Sequence, residues 1–444
     1  MDPTRATEEV RRCADAPLTR RALRTRRKRR GKIITRVFIS LSVLLAALAG
    51  AFAYFSPSSS GREMPERLAI GISHTQFTAD TWKPGAASAR NVIADAVDIQ
   101  NQPIMGWGAL NPEPAPGQYD FRSLDARVSM MQSVPHTVLS ITLCCAPDWM
   151  KGGSSGATDW SRLEQAPARE HYGDFARLAA RVAQRYPEVE YFLVWNELKG
   201  FYNPAANNWD IAAFTALYDA VYRAVKEVRP DAKIGGPYVP MDLWSSRDVM
   251  SNPSDLAGPW GVVDGRAIEA LQYWLENKAG ADFLVVDGNS GTRDKGVLAH
   301  DLRSAAVFAD VTRWLRSETE LPVWWAELYA LPTDQTLPSD SPHRAELFLS
   351  AVAGAARAGA QAILLWQPEA HPGVDSAALW SNSEDSAGGR PLPLARQLAW
   401  VRRYLDQDGQ MAVEPVGAGV RVSVSGHWML LEPDGSMTTD PTSP

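Results

Sequence analysis

Cysteine is almost absent from this chain: there are three in 444 residues, with Cys13 in a basic N-terminal tail and only Cys144 and Cys145 in the body. That excludes a disulfide framework, and the fold must be stable on its core alone. Cys144 and Cys145 can pair as a vicinal disulfide or remain two buried thiols, and buried thiols are the expectation. The seven histidines, His74, His136, His171, His300, His343, His371 and His427, form no H-E-x-x-H or other close ligand pattern, so no metal is expected. Glycine is plentiful but forms no G-x-G-x-x-G after an early strand, so no nucleotide cofactor is expected. What is present is an ordinary 45% hydrophobic content, enough for one large domain with small additions.

The charge is unevenly distributed. Residues 1–36 carry 13 Lys/Arg against 4 Asp/Glu, a net +9; with a formal total of −6, the rest of the chain carries −15. Basic charge at one end gives no reason to expect nucleic acid as a partner. Residues 1–32 read as a basic cytoplasmic tail. Residues 33–55 contain the uncharged run Val37–Phe55. At roughly 1.5 Å per residue, a helix of that size crosses about 30 Å of hydrocarbon. The expectation is a transmembrane anchor or uncleaved signal-anchor, making the membrane a partner and placing the body outside the cytoplasmic membrane. The rival is a cleaved signal peptide and a secreted body, since A-L-A at 47–49 and A-F-A at 51–53 supply small residues at alternating positions. A Ser/Pro/Gly linker follows over 56–66.

From 67 to 405 strand-like and helix-like patterns alternate. Apolar runs stand at Leu68–Ile72, Pro103–Trp107, Thr137–Leu143, Tyr191–Val194, Lys233–Gly236, Asp282–Val286, Val323–Trp325 and Ala362–Trp366. Helical spacing separates them, most plainly over Ile211, Phe214, Leu217, Tyr218, Val221, Tyr222 and Val225, with Asp210 as N-cap. Eight strand-plus-helix signals in order are what a closed (β/α)8 barrel requires. Residues 237–262 read as a long irregular excursion. Over 406–444 the period changes to two in V-R-V-S-V-S, and W-M-L-L follows a Gly-His turn, so a small β appendage is expected. The expected fold class is α/β: a (β/α)8 TIM barrel with a small C-terminal β appendage and an N-terminal transmembrane helix.

The chemistry gathers at two strand ends. Y-F-L-V-W-N-E-L-K-G begins at Tyr191 and puts Glu197 just beyond the fourth strand; 130 residues later W-W-A-E-L-Y puts Glu327 just beyond the seventh. Two carboxylates on one rim of a barrel are the minimum equipment for cleaving a glycosidic bond. Glu113 in N-P-E-P and His74 after the first strand fall on the same rim. Each has a plain structural alternative, a turn charge for Glu113 and a locally satisfied ring for His74.

With W-N-E at 195–197 and the glutamate of W-W-A-E in place, the stretch from about 68 to 405 resembles the retaining glycoside hydrolases of clan A, most closely family 39 and its relatives. The resemblance implies Glu197 as acid/base, Glu327 as nucleophile and Asn196 as donor to the sugar 2-hydroxyl. It implies that the more enclosed carboxyl keeps its proton until the glycosyl-enzyme forms. Trp366 resembles the aromatic floor of such clefts, with rim packing as its alternative, and Trp149 and Trp107 are similar candidates. Relatives often carry a His or Tyr near the sixth strand end; this chain offers Asp287 or Asn289 in V-V-D-G-N-S-G, and Tyr238 from the fifth strand end is a possible substitute.

The functional expectation is a retaining O-glycosyl hydrolase cleaving an extracellular or cell-envelope polysaccharide or oligosaccharide by double displacement. The alternative is a non-catalytic carbohydrate-binding envelope protein on the same barrel. The sequence leaves the sugar, the linkage, endo or exo action and the oligomeric state open.

Overall fold

The computed structural model describes residues 64–104, 111–156, 158–371 and 377–441. Eight strands close into one parallel barrel: β1 (Ala69–Ser73), β2 (Ile99–Ile104), β3 (Val138–Leu143), β4 (Tyr191–Val194), β5 (Lys233–Pro240), β6 (Phe283–Asn289), β7 (Val323–Tyr329) and β8 (Ala362–Trp366). Each pairs with its chain neighbours, and β8 closes on β1 with Ala69 opposite Ala362. The helices after the strands are α1 (Ala86–Ala96), α2 (Arg122–Gln132), α3 (Tyr172–Arg185), α4 (Ile211–Val228), α5 (Gly265–Asn277), α6 (Ala306–Glu318), α7 (Pro342–Arg357) and α8 (Pro393–Tyr404). Helix α4 starts where Asp210 accepts a hydrogen bond from the Ala213 amide, and it buries Phe214, Leu217, Tyr218, Val221 and Val225 on one stripe.

The barrel interior mixes small and very large side chains. Phe283, Trp324 and Tyr191 nest together, with ring centroids 4.5 Å apart for the first two, while Ala69, Ala326 and Ala362 leave them room. Gly235 is required here, because a Cβ would stand 2.3 Å from the Phe283 ring. Nearer the rim the filling turns polar. Asn101 on β2 donates to Ser73 and Thr142, each at 3.0 Å, and Ser73 donates past β8 to the Ala326 carbonyl at 3.0 Å. A satisfied buried network of this kind holds its strands in one arrangement.

Several expectations are revised. The second strand is Ile99–Ile104 rather than Pro103–Trp107, because α1 stops at Ala96 and Asp98 is pinned beside β1, accepting from the Ile70 amide at 3.0 Å. Residues 105–110, with Trp107, lie outside the described residues. The excursion after β5 is ordered as a small antiparallel sheet of Leu243–Trp244, Pro253–Gly258 and Gly261–Asp264. The C-terminal appendage is a four-stranded antiparallel sheet, β9 (Met411–Val416), β10 (Gly419–Val424), β11 (His427–Leu431) and β12 (Met437–Thr439). Its Val422, Val424, Met429 and Leu431 join the main core, and Arg357 of α7 donates to the Met411 carbonyl. Cys144 and Cys145 are joined as a vicinal disulfide, fully buried at the end of β3, in place of the two thiols expected.

The membrane reading is corrected as well. The segment 33–55 lies outside the described residues, and among the described residues no helix is long and apolar enough to cross a membrane. Even α4, with 18 residues, is amphipathic and carries Asp219, Arg223, Lys226 and Glu227. The fold class is therefore a (β/α)8 barrel with a C-terminal β sheet. The N-terminal transmembrane helix, the membrane as a partner and the membrane-anchored localisation are withdrawn.

Candidate active site

The turn after β4 is built under strain. Trp195, Glu197 and Leu198 all have left-handed backbone, with φ of 68°, 50° and 55°. Such positions cost about 1–3 kcal/mol each in non-glycine residues and persist only where surrounding contacts over-determine them. Those contacts are visible. Trp195 is fully buried edge-on to Phe175 and Phe201, and its indole N–H donates 2.8 Å to the Lys199 carbonyl, folding the turn over the aromatic. The result raises Glu197 on the C-terminal rim and turns Lys199 back so that its ammonium lies 3.0 Å from the Glu197 carboxylate and 3.1 Å from Glu164.

Glu327 is set by register. Between β6 and β7 the pairing runs Val286 with Trp325 and then Asp287 with Glu327, so Ala326 is bulged out of the ladder. The bulge aligns Asp287 with Glu327 and Asn289 with Tyr329. A second irregularity lies at Tyr238 on β5, whose φ is 60°. Two phenols then grip the Glu327 carboxylate: Tyr238 donates to Oε1 at 2.8 Å and Tyr329 to Oε2 at 2.5 Å.

Three carboxyl groups meet as a consequence. Carboxylate oxygens of Glu197, Asp287 and Glu327 all lie within 4.8 Å of one another. At that distance two unit charges repel by about 3.5 kcal/mol at an effective dielectric constant of ~20. The three therefore cannot all be ionised cheaply, and protons are shared among them. Burial, with the Glu197 charge, pushes Glu327 up to about 7 despite the two phenols, which pull it down. Burial and the charges of Glu197 and Glu327 hold Asp287 well above the usual carboxylate range. The expectation that the more enclosed carboxyl keeps its proton thus falls on Asp287 and Glu327, only 4% exposed each, while the Glu197 side chain is 22% exposed and touches a lysine.

Glu197, Asp287 and Tyr329 line a cavity of about 820 Å³ shared with Tyr202, Trp209 and Trp244. Asn196 is buried beside Glu197, and its Nδ2 has no hydrogen-bond partner, leaving a donor for a ligand. Trp366 ends β8 half-buried, level with Ser73. The other candidates make contacts of their own. His74 is fully buried, its Nε2 is 3.0 Å from Gln100, and burial with the Arg127 charge lowers it to about 3, so it is a neutral core ring. Glu113 accepts from the Gly117 amide at 2.8 Å, and its carbonyl accepts from Trp149 at 2.9 Å, so this pair closes its own loop. Trp149 also stands edge-on to His171. Glu369 is locked beyond β8 by Ser383 and Lys83.

Sequence reasoning missed two partners. Tyr329 follows Glu327 by two residues, which in a strand puts both side chains on one face, so alternation pointed to it. Lys199 was visible in W-N-E-L-K, but only the left-handed turn brings it back onto Glu197.

No family model matches the chain, and no curated protein matches it. Solved structures do. A monomeric β-xylosidase from Caulobacter crescentus CB15 is 17% identical, with 82% of this chain and 74% of that chain covered at a TM-score of 0.55. The GH39 enzyme from Xanthomonas axonopodis pv. citri is 16% identical over 82% and 72%, also at 0.55. A β-glucosidase from Thermotoga maritima in complex with azafagomine is 12% identical over 76% and 98%, at 0.52. The chain shares with these the (β/α)8-barrel fold.

Proposed function

We propose that this chain is a retaining glycoside hydrolase, related to family 39, that cleaves a polysaccharide or oligosaccharide by double displacement. One observation carries the reading: Glu197 and Glu327 stand on the C-terminal rim with oxygens within 4.8 Å. Retaining enzymes hold their two carboxyl groups about 5–5.5 Å apart, whereas inverting enzymes need about 6.5–9.5 Å to admit a water. Glu327, oriented by Tyr238 and Tyr329, attacks the anomeric carbon while Glu197 delivers a proton to the leaving oxygen. Water, activated by Glu197, then releases the sugar with its configuration retained. Asn196 donates to the 2-hydroxyl, a contact that strengthens as the oxocarbenium-like transition state forms. The aromatic cavity beside Glu197 takes the leaving group, and Trp366 supports the sugar on the far side of the cleft.

The test is product analysis on a panel of xylans, arabinans, glucans and bacterial polysaccharides, with Glu327→Gln in parallel. Wild type should yield oligosaccharides or monosaccharides whose first-formed anomer matches the substrate by NMR, and Glu327→Gln should turn over roughly 10⁴-fold more slowly. Products of inverted configuration would overturn double displacement. Lys199 on Glu197 favours a second reading, a carbohydrate-binding barrel without turnover, because the ammonium occupies the side of the carboxyl that a leaving oxygen must approach. Saturable binding of one glycan with no cleavage would establish it.

A further inference from the structure

Five acidic groups surround the cavity and its catalytic edge, and four have a counter-charge or a hydroxyl donor. Glu197 has the Lys199 ammonium at 3.0 Å, Asp242 has Arg293 at 2.6 Å, and Asp264 has Arg266 at 2.6 Å. Glu327 has its two tyrosines. Asp287 is the exception: it is 4% exposed, and its Oδ1 is buried without a hydrogen-bond partner. Its close polar neighbours are the carboxylates of Glu197 and Glu327. With no donor on Oδ1 and two acceptor carboxylates this close, while the facing phenols and the Arg293 guanidinium bond to other carboxylates, the group gains most as a donor, that is, as the neutral acid.

Resting on the roles proposed above for Glu197 and Glu327, we propose that Asp287 is a neutral carboxylic acid in the resting protein and serves as the proton reservoir of the site, donating to Glu197. Lys199 lies 3.0 Å from the Glu197 carboxylate, and Asp287 stands close to the same carboxylate as a second acid from which the proton can be drawn. In the first half-reaction the Asp287 proton passes to Glu197 and on to the glycosidic oxygen, as the C–O bond to the leaving group breaks and a bond from Glu327 to the anomeric carbon forms. Esterification removes the Glu327 charge, one of the causes that raise Asp287, so the acid strengthens when its proton is needed. In the second half-reaction a water oxygen bonds to the anomeric carbon and the ester bond breaks. The water's proton returns through Glu197 to Asp287, and the three carboxyl groups end as they began.

The groups facing Asp287 are Glu197 beyond β4, Tyr238 on β5, Asp242 beyond β5, Glu327 and Tyr329 on β7, and Arg293 beyond β6. Burial and the three carboxylates raise it, and the Arg293 cation that faces it is already bound to Asp242.

The experiment is infrared spectroscopy of the full chain without ligand, following the carbonyl stretch of un-ionised carboxyl groups as pH is raised. The component that survives to the highest pH should vanish in Asp287→Asn and remain in Glu327→Gln. In Glu197→Gln its midpoint should move down by about one pH unit or more, because the strongest facing charge is gone. Asp287→Ser serves the same purpose if the amide variant does not fold. Survival of that component in the folded Asp287 variant overturns the assignment, and an unmoved midpoint in Glu197→Gln overturns the donation to Glu197. Neither readout needs turnover, so an inactive protein with these spectra sinks the hydrolase reading alone, and an active one without them sinks the reservoir alone.

Discussion

Asp98 and Asp287 are the same residue type at almost the same burial, 5% and 4% exposed, yet the barrel treats them in opposite ways. Asp98 opens β2 at the N-terminal end of the barrel. It accepts two bonds from Arg67 at 2.8 and 3.0 Å, one from Arg402 at 2.6 Å and one from the Ile70 amide. Burial pulls its pKa upward, but the two guanidiniums override that and hold it below the usual range. Asp287, near the other end of the barrel, has carboxylates where Asp98 has arginines, and burial and repulsion act together to raise it. Burial alone therefore does not decide the charge of an interior carboxyl; its neighbours do. The N-terminal face uses its acid to hold strands and helices together, and the C-terminal face sets Asp287 against two other carboxyl groups, a division between stability and chemistry usual in barrels.

Removing each carboxylate is the harshest way to break this comparison. Asp98→Ala strands two arginines that are 15% exposed, and stability should fall by about 3–5 kcal/mol, the cost of breaking a buried ion pair from one side. Asp287→Asn should be neutral or stabilising by about 1 kcal/mol or more at neutral pH, since the folded protein no longer has to protonate a carboxyl that is ionised in the unfolded chain. Urea unfolding of both variants at constant pH checks this. Equal losses would mean that Asp287 has a cation after all.

The pH dependence sharpens the contrast. A carboxyl lowered on folding, like Asp98, adds stability that is present above its unfolded value and is lost as pH falls through its folded value. One that is raised does the reverse. Glu327, at about 7 against an ordinary 4.5, contributes most below about 4.5, and that contribution is lost as pH rises through 7. The shift corresponds to about 3 kcal/mol at most. Glu327→Gln should remove this decline, so the stability of the variant relative to wild type should rise between about pH 5 and pH 8. Parallel stability curves would show that Glu327 does not share the burden of the trio.

What could be read from the sequence divides along the same line. Tyr191–Val194 and Ala362–Trp366 were legible with their observed limits, because a buried parallel strand is an apolar run between turn residues. Glu197 stands beyond β4 as read, whereas Glu327, expected just beyond the seventh strand, lies inside β7, which runs on to Tyr329. The bulge at Ala326 was not legible, since register depends on the partner strand, and Asp287 faces Glu327 only because of it. Tyr238 was named without a place for its hydroxyl, and the phenol bond to Glu327 follows from the irregularity in β5. The disulfide between Cys144 and Cys145 and the early start of β2 also depend on local backbone geometry that composition does not encode.

Glu113 tests the boundary of the site with the smallest expected effect, because it is a third kind of carboxylate, held by backbone rather than by cations or by other acids. The Asn111 side chain accepts from the Glu113 amide at 3.1 Å, Glu113 accepts from the Gly117 amide at 2.8 Å, and Gly117 turns with φ of 72°. Burial raises the Glu113 pKa, and the Gly117 bond works against that rise. A glutamine at this position keeps an amide oxygen for Gly117 and leaves the Glu113 carbonyl free to hold the Trp149 indole. Glu113→Gln should therefore cost no more than about 1 kcal/mol of stability. Turnover of whichever glycan the wild type cleaves should stay within about twofold, since no contact made only in the transition state is lost. A tenfold fall in kcat/KM with unchanged stability would show that the carboxylate leaves Gly117 to meet the sugar, and would extend the functional face from β4–β7 to the loop after β2.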